Sequence, residues 1–379
     1  MTKKGSVLNS IFYYFIFYIP FGAVCPLLSQ YLSSIGFSGT EVGTITAFST
    51  LGASIGCLFL GRIFSNTNKK KVFLLILLIS CAILDIICKF SIKFLPFLLL
   101  YMFLYFFQEP VHGLSDVMLT QNGENFPLIR GFGAIGFALS SFVTGLICEN
   151  LGLDKSFIIA AIAYLVASIF LFRMGEPKNF VESKSDKVKI KYLLKEKKFV
   201  VLLICSMFFM GITMANNTYF GYLYREGGGS ISGIGLAFLL MAGSEALIMS
   251  IVPLVEKIFS IEKLIAIGAV FEIIRFGFYS TSPSFKWLLA TFILQGLMNG
   301  ILLVEFVKYF SKVVEAKYAA MSVSVFNSIG VNFSTILVNF VSGVVLDNFN
   351  VKGVYLFFAI LSSIGLTIYL SFGLHKNEN

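Results

Sequence analysis

The sequence predicts an all-α integral membrane protein: twelve transmembrane helices in two six-helix bundles, with both termini cytoplasmic. Three features predict it. Twelve apolar stretches are long enough to cross a bilayer, Lys and Arg fall mainly in alternate loops, and an internal repeat flanks one long polar segment. A spanning helix needs about 20 mostly apolar residues. Such stretches lie near 9–33, 41–63, 71–92, 94–120, 126–150, 155–174, 198–224, 231–255, 260–282, 285–312, 316–345 and 352–373. The chain is 57% hydrophobic, holds 43 Phe and is 13% charged, whereas a soluble domain is roughly 25% charged.

Taken in order, the first span follows Lys3 and Lys4 like a secretory leader. Its apolar run from Ile11 to Leu32 outlasts the roughly 7–15 residues of a signal core, so it stays as a helix. It carries Tyr18, a candidate cavity residue. The second span ends in Gly61 and Arg62 and is followed by Lys69, Lys70 and Lys71. The third holds one acid, Asp85. On the fourth, Glu109, His112 and Asp116 are spaced i, i+3, i+7 and share one face. His112 is either satisfied by bundle neighbours or part of a proton relay with those carboxylates. The fifth span opens with Arg130. A short loop lets Asp116 and Arg130 meet across an antiparallel hairpin, as a substrate contact or as a structural ion pair.

The sixth span leads into the only long polar segment, expected to be a cytoplasmic linker over 175–197 between bundles 1–174 and 198–379. The seventh span carries Asn216 and Asn217 at depth, and the eighth carries Glu245 near its middle. Glu272 and Arg275 are three apart on the ninth and can neutralise one another. The tenth holds Gln295, then Glu305 and Lys308, which read as a solvated pair near the inner face. Gly52 with Gly56, and Gly296 with Gly300, are GxxxG steps that let helices approach closely. An ionised side chain at a helix centre costs about 2.5–3.5 kcal/mol on insertion scales, so each intramembrane charge needs a partner or a task.

The net charge of +9 does not point to nucleic acid, because the positive residues are not clustered on a soluble module. With the N-terminus inside, 21 Lys and Arg fall on the inner side and six on the outer. Arg130 and Arg275 lie within spans, which accounts for all 29. That bias satisfies the positive-inside rule. Cys25, Cys57, Cys81, Cys88, Cys148 and Cys205 lie singly in apolar helices without CxxC spacing and read as buried free thiols. No HExxH, paired-aspartate phosphate motif or Cys/His metal set is present, which argues against a membrane-embedded enzyme, a catalytic residue or a metal.

Ser141 through Gly145, Glu149-Asn150 and Ala161-Ile162 recur as Asn339 through Gly343, Asp347-Asn348 and Ala359-Ile360 at one constant offset. Gly36, Ser38 and Gly43 echo in Gly228, Ser230 and Gly235. A duplicated six-helix unit is the internal symmetry that transporters use to alternate access to a midplane site.

The Gly61–Lys71 loop resembles the signature gating loop of the major facilitator superfamily, with Ser65 where an acid is usual. Pro26 to Gly36, Ile129 to Phe137, Arg275 and Phe306-Val-Lys-Tyr309 resemble the branch of lactose and phenylpropionate permeases, which are proton symporters for sugars and aromatic acids. The resemblance implies secondary transport of a sugar, nucleoside or aromatic carboxylate across the plasma membrane, driven by a proton gradient with no bound cofactor, by a monomer. Drug efflux and uncoupled uniport are the alternatives. It further implies substrate contact at Asp116, Arg130 and Phe137, the last where the family stacks an aromatic ring on the sugar. Coupling is implied at Arg275 and Glu245. The family's titratable pair on the tenth span is replaced by Gln295 and Met298, so a carried proton must use Glu245, Glu272, Glu305, Asp85 or the Glu109–His112 stripe.

Overall fold

The computed structural model describes residues 3–121, 125–174 and 190–376, and all regular structure among them is helical. Most of the expected linker lies outside the described residues. The first span is three pieces, α1 (Lys3–Phe17), α2 (Ile19–Val24) and α3 (Leu28–Ser34). Pro20 and Pro26 explain the breaks, since each lacks the N–H that would continue the ladder. Next come α4 (Gly39–Asn66), α5 (Lys70–Phe90), α6 (Phe94–Gln121), α7 (Phe126–Leu151) and α8 (Lys155–Arg173). Asn125 caps α7 by accepting from Leu128 N at 3.3 Å.

The remainder is α9 (Lys197–Glu226), α10 (Ile231–Val255), α11 (Ile261–Tyr279), α12 (Phe285–Lys312), α13 (Ala319–Val325), a π-helical stretch (Phe326–Phe333) and α14 (Ser334–Ser371). Among the described residues ten segments are long and apolar enough to cross a membrane, and one of them is the 56-residue Ala316–Ser371. At 1.5 Å per residue a straight helix of that length would reach about 84 Å, nearly three bilayer cores of roughly 30 Å. Asn350 breaks it, at φ 55° and ψ −172°. Helix α11 falls outside the ten; it carries Glu262, Lys263, Glu272 and Arg275 within 19 residues.

The chain folds as two units. Unit 1 comprises Met1–Phe37, Thr44–Ser183 and Ser230–Leu239; unit 2 comprises Ser38–Gly43, Lys184–Gly229 and Leu240–Asn379. In unit 1 the small residues set helix spacing. A Cβ at Gly52 or Gly56 would strike the carbonyl oxygen of Met102 or Phe106, and one at Gly136 would strike that of Phe15. Such steps replace the hydrophobic drive that lipid removes between helices. In unit 2 the core is aromatic: Phe306, Phe310 and Phe326 are fully buried, and Phe310 stacks on Phe326 at 4.8 Å. Outward faces are strongly apolar, with Leu58, Ile258 and Phe90 more than two-thirds exposed, as a lipid-facing surface requires.

The repeat reappears as a pair of matching caps. In unit 2, Asp347 accepts from Gly39 N (2.6 Å), Thr40 N (2.7 Å) and Thr40 Oγ1 (2.6 Å) at the start of α4. In unit 1 its repeat partner Glu149 accepts from Ser232 N (3.1 Å) at the start of α10. Each carboxylate meets unpaired N–H groups and the positive end of a helix dipole.

Candidate functional site

Unit 1 gathers Asp116, Arg130 and His112 around the break between α1 and α2. Asp116 on α6 and Arg130 on α7 form an ion pair across the hairpin, as the sequence spacing predicts. Tyr14 OH donates to Asp116 Oδ1 at 2.8 Å, and Tyr13 OH meets Ser115 Oγ at 2.7 Å. Arg130 remains half exposed, an unusual state for a cation inside a span unless it faces water. The ring of His112 sits among Phe21, Phe17 and Tyr18, with centroids at 4.1, 4.6 and 4.8 Å. Gly133 leaves room for the Tyr18 ring against α7. The result is a paired acid and guanidinium beside an aromatic wall.

The other sequence candidates in unit 1 are placed differently. Phe137 is half-buried on α7, and its carbonyl takes the hydroxyls of Ser140 and Ser141. Glu109 is half-buried on the His112 face. Asp85 is buried on α5, away from that cluster's hydrogen bonds, with Oδ2 unpartnered. At the start of α5, Lys70 Nζ donates to the carbonyls of Phe64 (3.3 Å) and Thr67 (3.2 Å), and Lys71 Nζ to those of Phe172 (3.0 Å) and Met174 (3.1 Å). These lysines cap helix C-termini. Gly61 has open space around its missing side chain, while Arg62 and Lys69 are exposed.

Unit 2 holds a buried polar network centred on Gln295 of α12. Its Oε1 accepts from Arg275 NH1 (2.7 Å) and Asn216 Nδ2 (2.5 Å), and its Nε2 donates to Asn217 Oδ1 at 3.2 Å. Tyr355 OH donates to Asn216 Oδ1 at 2.8 Å. Arg275 lies over the rings of Phe276 (4.5 Å) and Tyr279 (5.6 Å), while its Nε and second terminal nitrogen have no acceptor. Glu272 accepts from Thr213 Oγ1 at 2.5 Å, and its Oε2 is unpartnered.

Three sequence expectations are corrected here. Glu272 and Arg275 do not bond each other: burial turns this face of α11 toward α9 and α12, where Thr213 and Gln295 supply partners. Glu305 is fully buried rather than solvated, 3.7 Å from Lys308, which also pairs with Glu256 just beyond α10. Burial alone would raise the Glu256 pKa, but the hydrogen bond from Lys308 holds it below the ordinary range. The cysteines are free, with Cys57 exposed rather than buried.

Tyr14, Thr213 and Tyr355 were not singled out by sequence as site residues. Tyr14 sits one turn before Tyr18, the only signal available. Among the described residues no group of three or more His, Cys, Asp or Glu could hold a metal ion.

A family model described as the MFS_1 like family matches residues 8–357. The maltose permease of Geobacillus stearothermophilus is 26% identical over 363 residues, covering 94% of this chain and 92% of that protein. A protein of Escherichia coli (strain K12) named "Probable 3-phenylpropionic acid transporter" is 22% identical over 294 residues, covering 74% and 76%. The crystal structure of the nucleoside transporter NupG superposes with a TM-score of 0.84 at 20% identity, covering all of both chains.

Proposed function

The chain belongs to the MFS_1 like family and is a membrane-embedded secondary transporter of small organic solutes; from that premise we propose that its solute is neutral and rich in hydroxyl groups, a sugar or a nucleoside. One observation carries this reading. In unit 1 Arg130, an exposed cation within a span, is already neutralised by Asp116, beside the Tyr18 and His112 rings. A paired carboxylate and guanidinium offer acceptors and donors to vicinal hydroxyls without net charge. Aromatic faces take the apolar side of a sugar or base. The names of the maltose permease and the NupG structure agree with that chemistry. A second reading, an aromatic carboxylate, is favoured by the two unpartnered donors of Arg275 and by the phenylpropionic acid relative.

We read the chain as twelve spans in bundles 1–174 and 198–379, with both termini inside, acting as a monomer with no nucleic-acid partner. The Asn350 break, the charge bias and the matching caps support the spans and the repeat. Transport is coupled to protons in this reading, with Glu272 as carrier: it is a fully buried acid with one oxygen unpartnered, one turn from Arg275. Purified protein in detergent should gain thermal stability with maltose or uridine and less with 3-phenylpropionate, because a ligand that binds the folded state raises its apparent stability. Stabilisation by 3-phenylpropionate alone would replace the neutral-solute reading with the carboxylate one.

A further inference from the structure

The stretch from α13 through the start of α14 carries a run of polar residues that the clusters above do not use. Ser324, Asn327 and Ser328 are exposed, although they lie near the middle of an apolar segment expected to span the membrane. Ile329, Phe333, Leu337 and Phe340 are also exposed, between 38% and 48%. Phe326, Gly330, Ser334 and Val338 are buried against unit 2. The outward arc is therefore split into a polar sector and an apolar sector. Lipid suits the second and not the first.

The π-helical stretch produces that split. An α-helix advances about 100° per residue. A π turn holds about one residue more, so eight residues in it lag an α-helix by more than a third of a turn. In a continuous α-helix, Asn332 would join the exposed apolar residues and Phe333 would turn into the core. With the π stretch, Asn332 follows Ser324 and Ser328 on one line, and Phe333 joins Ile329 and Leu337. The hydroxyls beyond it absorb carbonyls at its end: Ser334 Oγ donates to Gly330 O at 2.6 Å and Thr335 Oγ1 to Val331 O at 2.7 Å. Gly330 permits the bend, since a Cβ there would strike Ser206 Oγ on α9. Farther along the same line, Asn339 is 97% buried and its Oδ1 has no partner.

We propose that Ser324, Asn327, Ser328 and Asn332, brought onto one face by the π-helical stretch, form a water-facing track that hydrogen-bonds the hydroxyl groups of the transported solute. The track bears no charge, so it suits a neutral polyhydroxylated solute; this rests on the reading of function given above. Ser328 Oγ donates to Ser324 O at 2.9 Å, which leaves its lone pairs to accept from a solute hydroxyl. Asn327 offers an amide donor and an acceptor.

The test places single cysteines at Asn327, Ser328, Phe333 and Leu337 in a Cys57→Ser background and exposes proteoliposomes, on both sides, to a charged methanethiosulfonate reagent. Thiols react as thiolates, which need water. Asn327→Cys and Ser328→Cys should react at least about tenfold faster than Phe333→Cys and Leu337→Cys. The solute that wild-type protein takes up, maltose or uridine, should slow the first pair. Asn327→Ala should raise KM about tenfold at unchanged expression. Equal reactivity of all four cysteines overturns the track. Fast labelling without protection, together with an unchanged KM, overturns solute contact. Absence of uptake of any solute by wild-type protein would instead sink the functional reading, while the labelling pattern still decides whether the track faces water.

Discussion

Asp116 and Arg130 can be read from the chain because a short hairpin brings their positions together, and the structure pairs them. If they bind solute, Arg130→Lys keeps the charge and loses the planar fork. Losing a charge-assisted hydrogen bond worth about 1.5–3 kcal/mol predicts a fall in uptake of roughly 10- to 100-fold at normal expression; wild-type uptake by that variant removes Arg130 from the site. Gln295 is less legible, because its importance lies in partners from two other helices, Arg275 and Asn216. Replacement by Leu leaves both donors buried and unpaired, at about 1–3 kcal/mol each. Thermal denaturation should therefore show a clear loss for Gln295→Leu and a smaller one for Gln295→Glu, which restores an acceptor. Outside the spans, burial would raise the Asp154 pKa, but Lys155 and Lys89 at 3.0 and 3.3 Å hold it below the ordinary carboxylate value. A depressed acid contributes stability that is present above its unfolded pKa of about 3.9 and is lost as pH falls through the folded value. The Asp154 side chain is 32% exposed, so Asp154→Asn should cost under about 1 kcal/mol at pH 7 and progressively less as the pH falls through the folded value.

At the scale of the element, hydropathy reveals where a helix runs and says little about where it breaks. Pro20 and Pro26 are visible signals for the interruption of the first span. The π stretch has none, since Phe326–Phe333 reads as ordinary apolar helix. Likewise Glu272 and Arg275 look paired from spacing alone, and only the packing of α11 shows that each turns elsewhere. The GxxxG steps are both legible and structurally demanding. A Cβ at Gly56 meets the backbone of Phe106, which cannot swing aside, whereas Gly277 on α11 has open space. Gly56→Ala should therefore destabilise by about 1–3 kcal/mol through overpacking. Gly277→Ala should be neutral or stabilise by up to about 1 kcal/mol, because glycine is a poor residue in a helix interior. Equal melting temperatures for the two variants would mean that α4 and α6 do not pack closely at Gly56.

For the whole molecule, the repeated motifs are legible at a constant offset, and their acids Asp347 and Glu149 both cap helix starts. The orientation rests on charge bias, and impermeant labelling of cysteines placed near Gly36, Gly228 and Ser284 from outside intact cells checks it; reaction in the 176–197 linker instead would reverse it. Coupling predicts that Glu272→Gln loses accumulation driven by a pH gradient yet keeps exchange of solute between the two sides. Normal accumulation by that variant would move the proton to Glu245, Glu305 or Asp85. The most direct test of the central claim is counterflow in proteoliposomes. Vesicles loaded with unlabelled maltose or uridine and diluted into the labelled solute should show a transient overshoot with wild-type protein, and none or a much smaller one with Arg130→Lys. An overshoot only with 3-phenylpropionate, or equal overshoots from the wild type and Arg130→Lys, would contradict a neutral, hydroxyl-rich solute held at the Asp116–Arg130 pair.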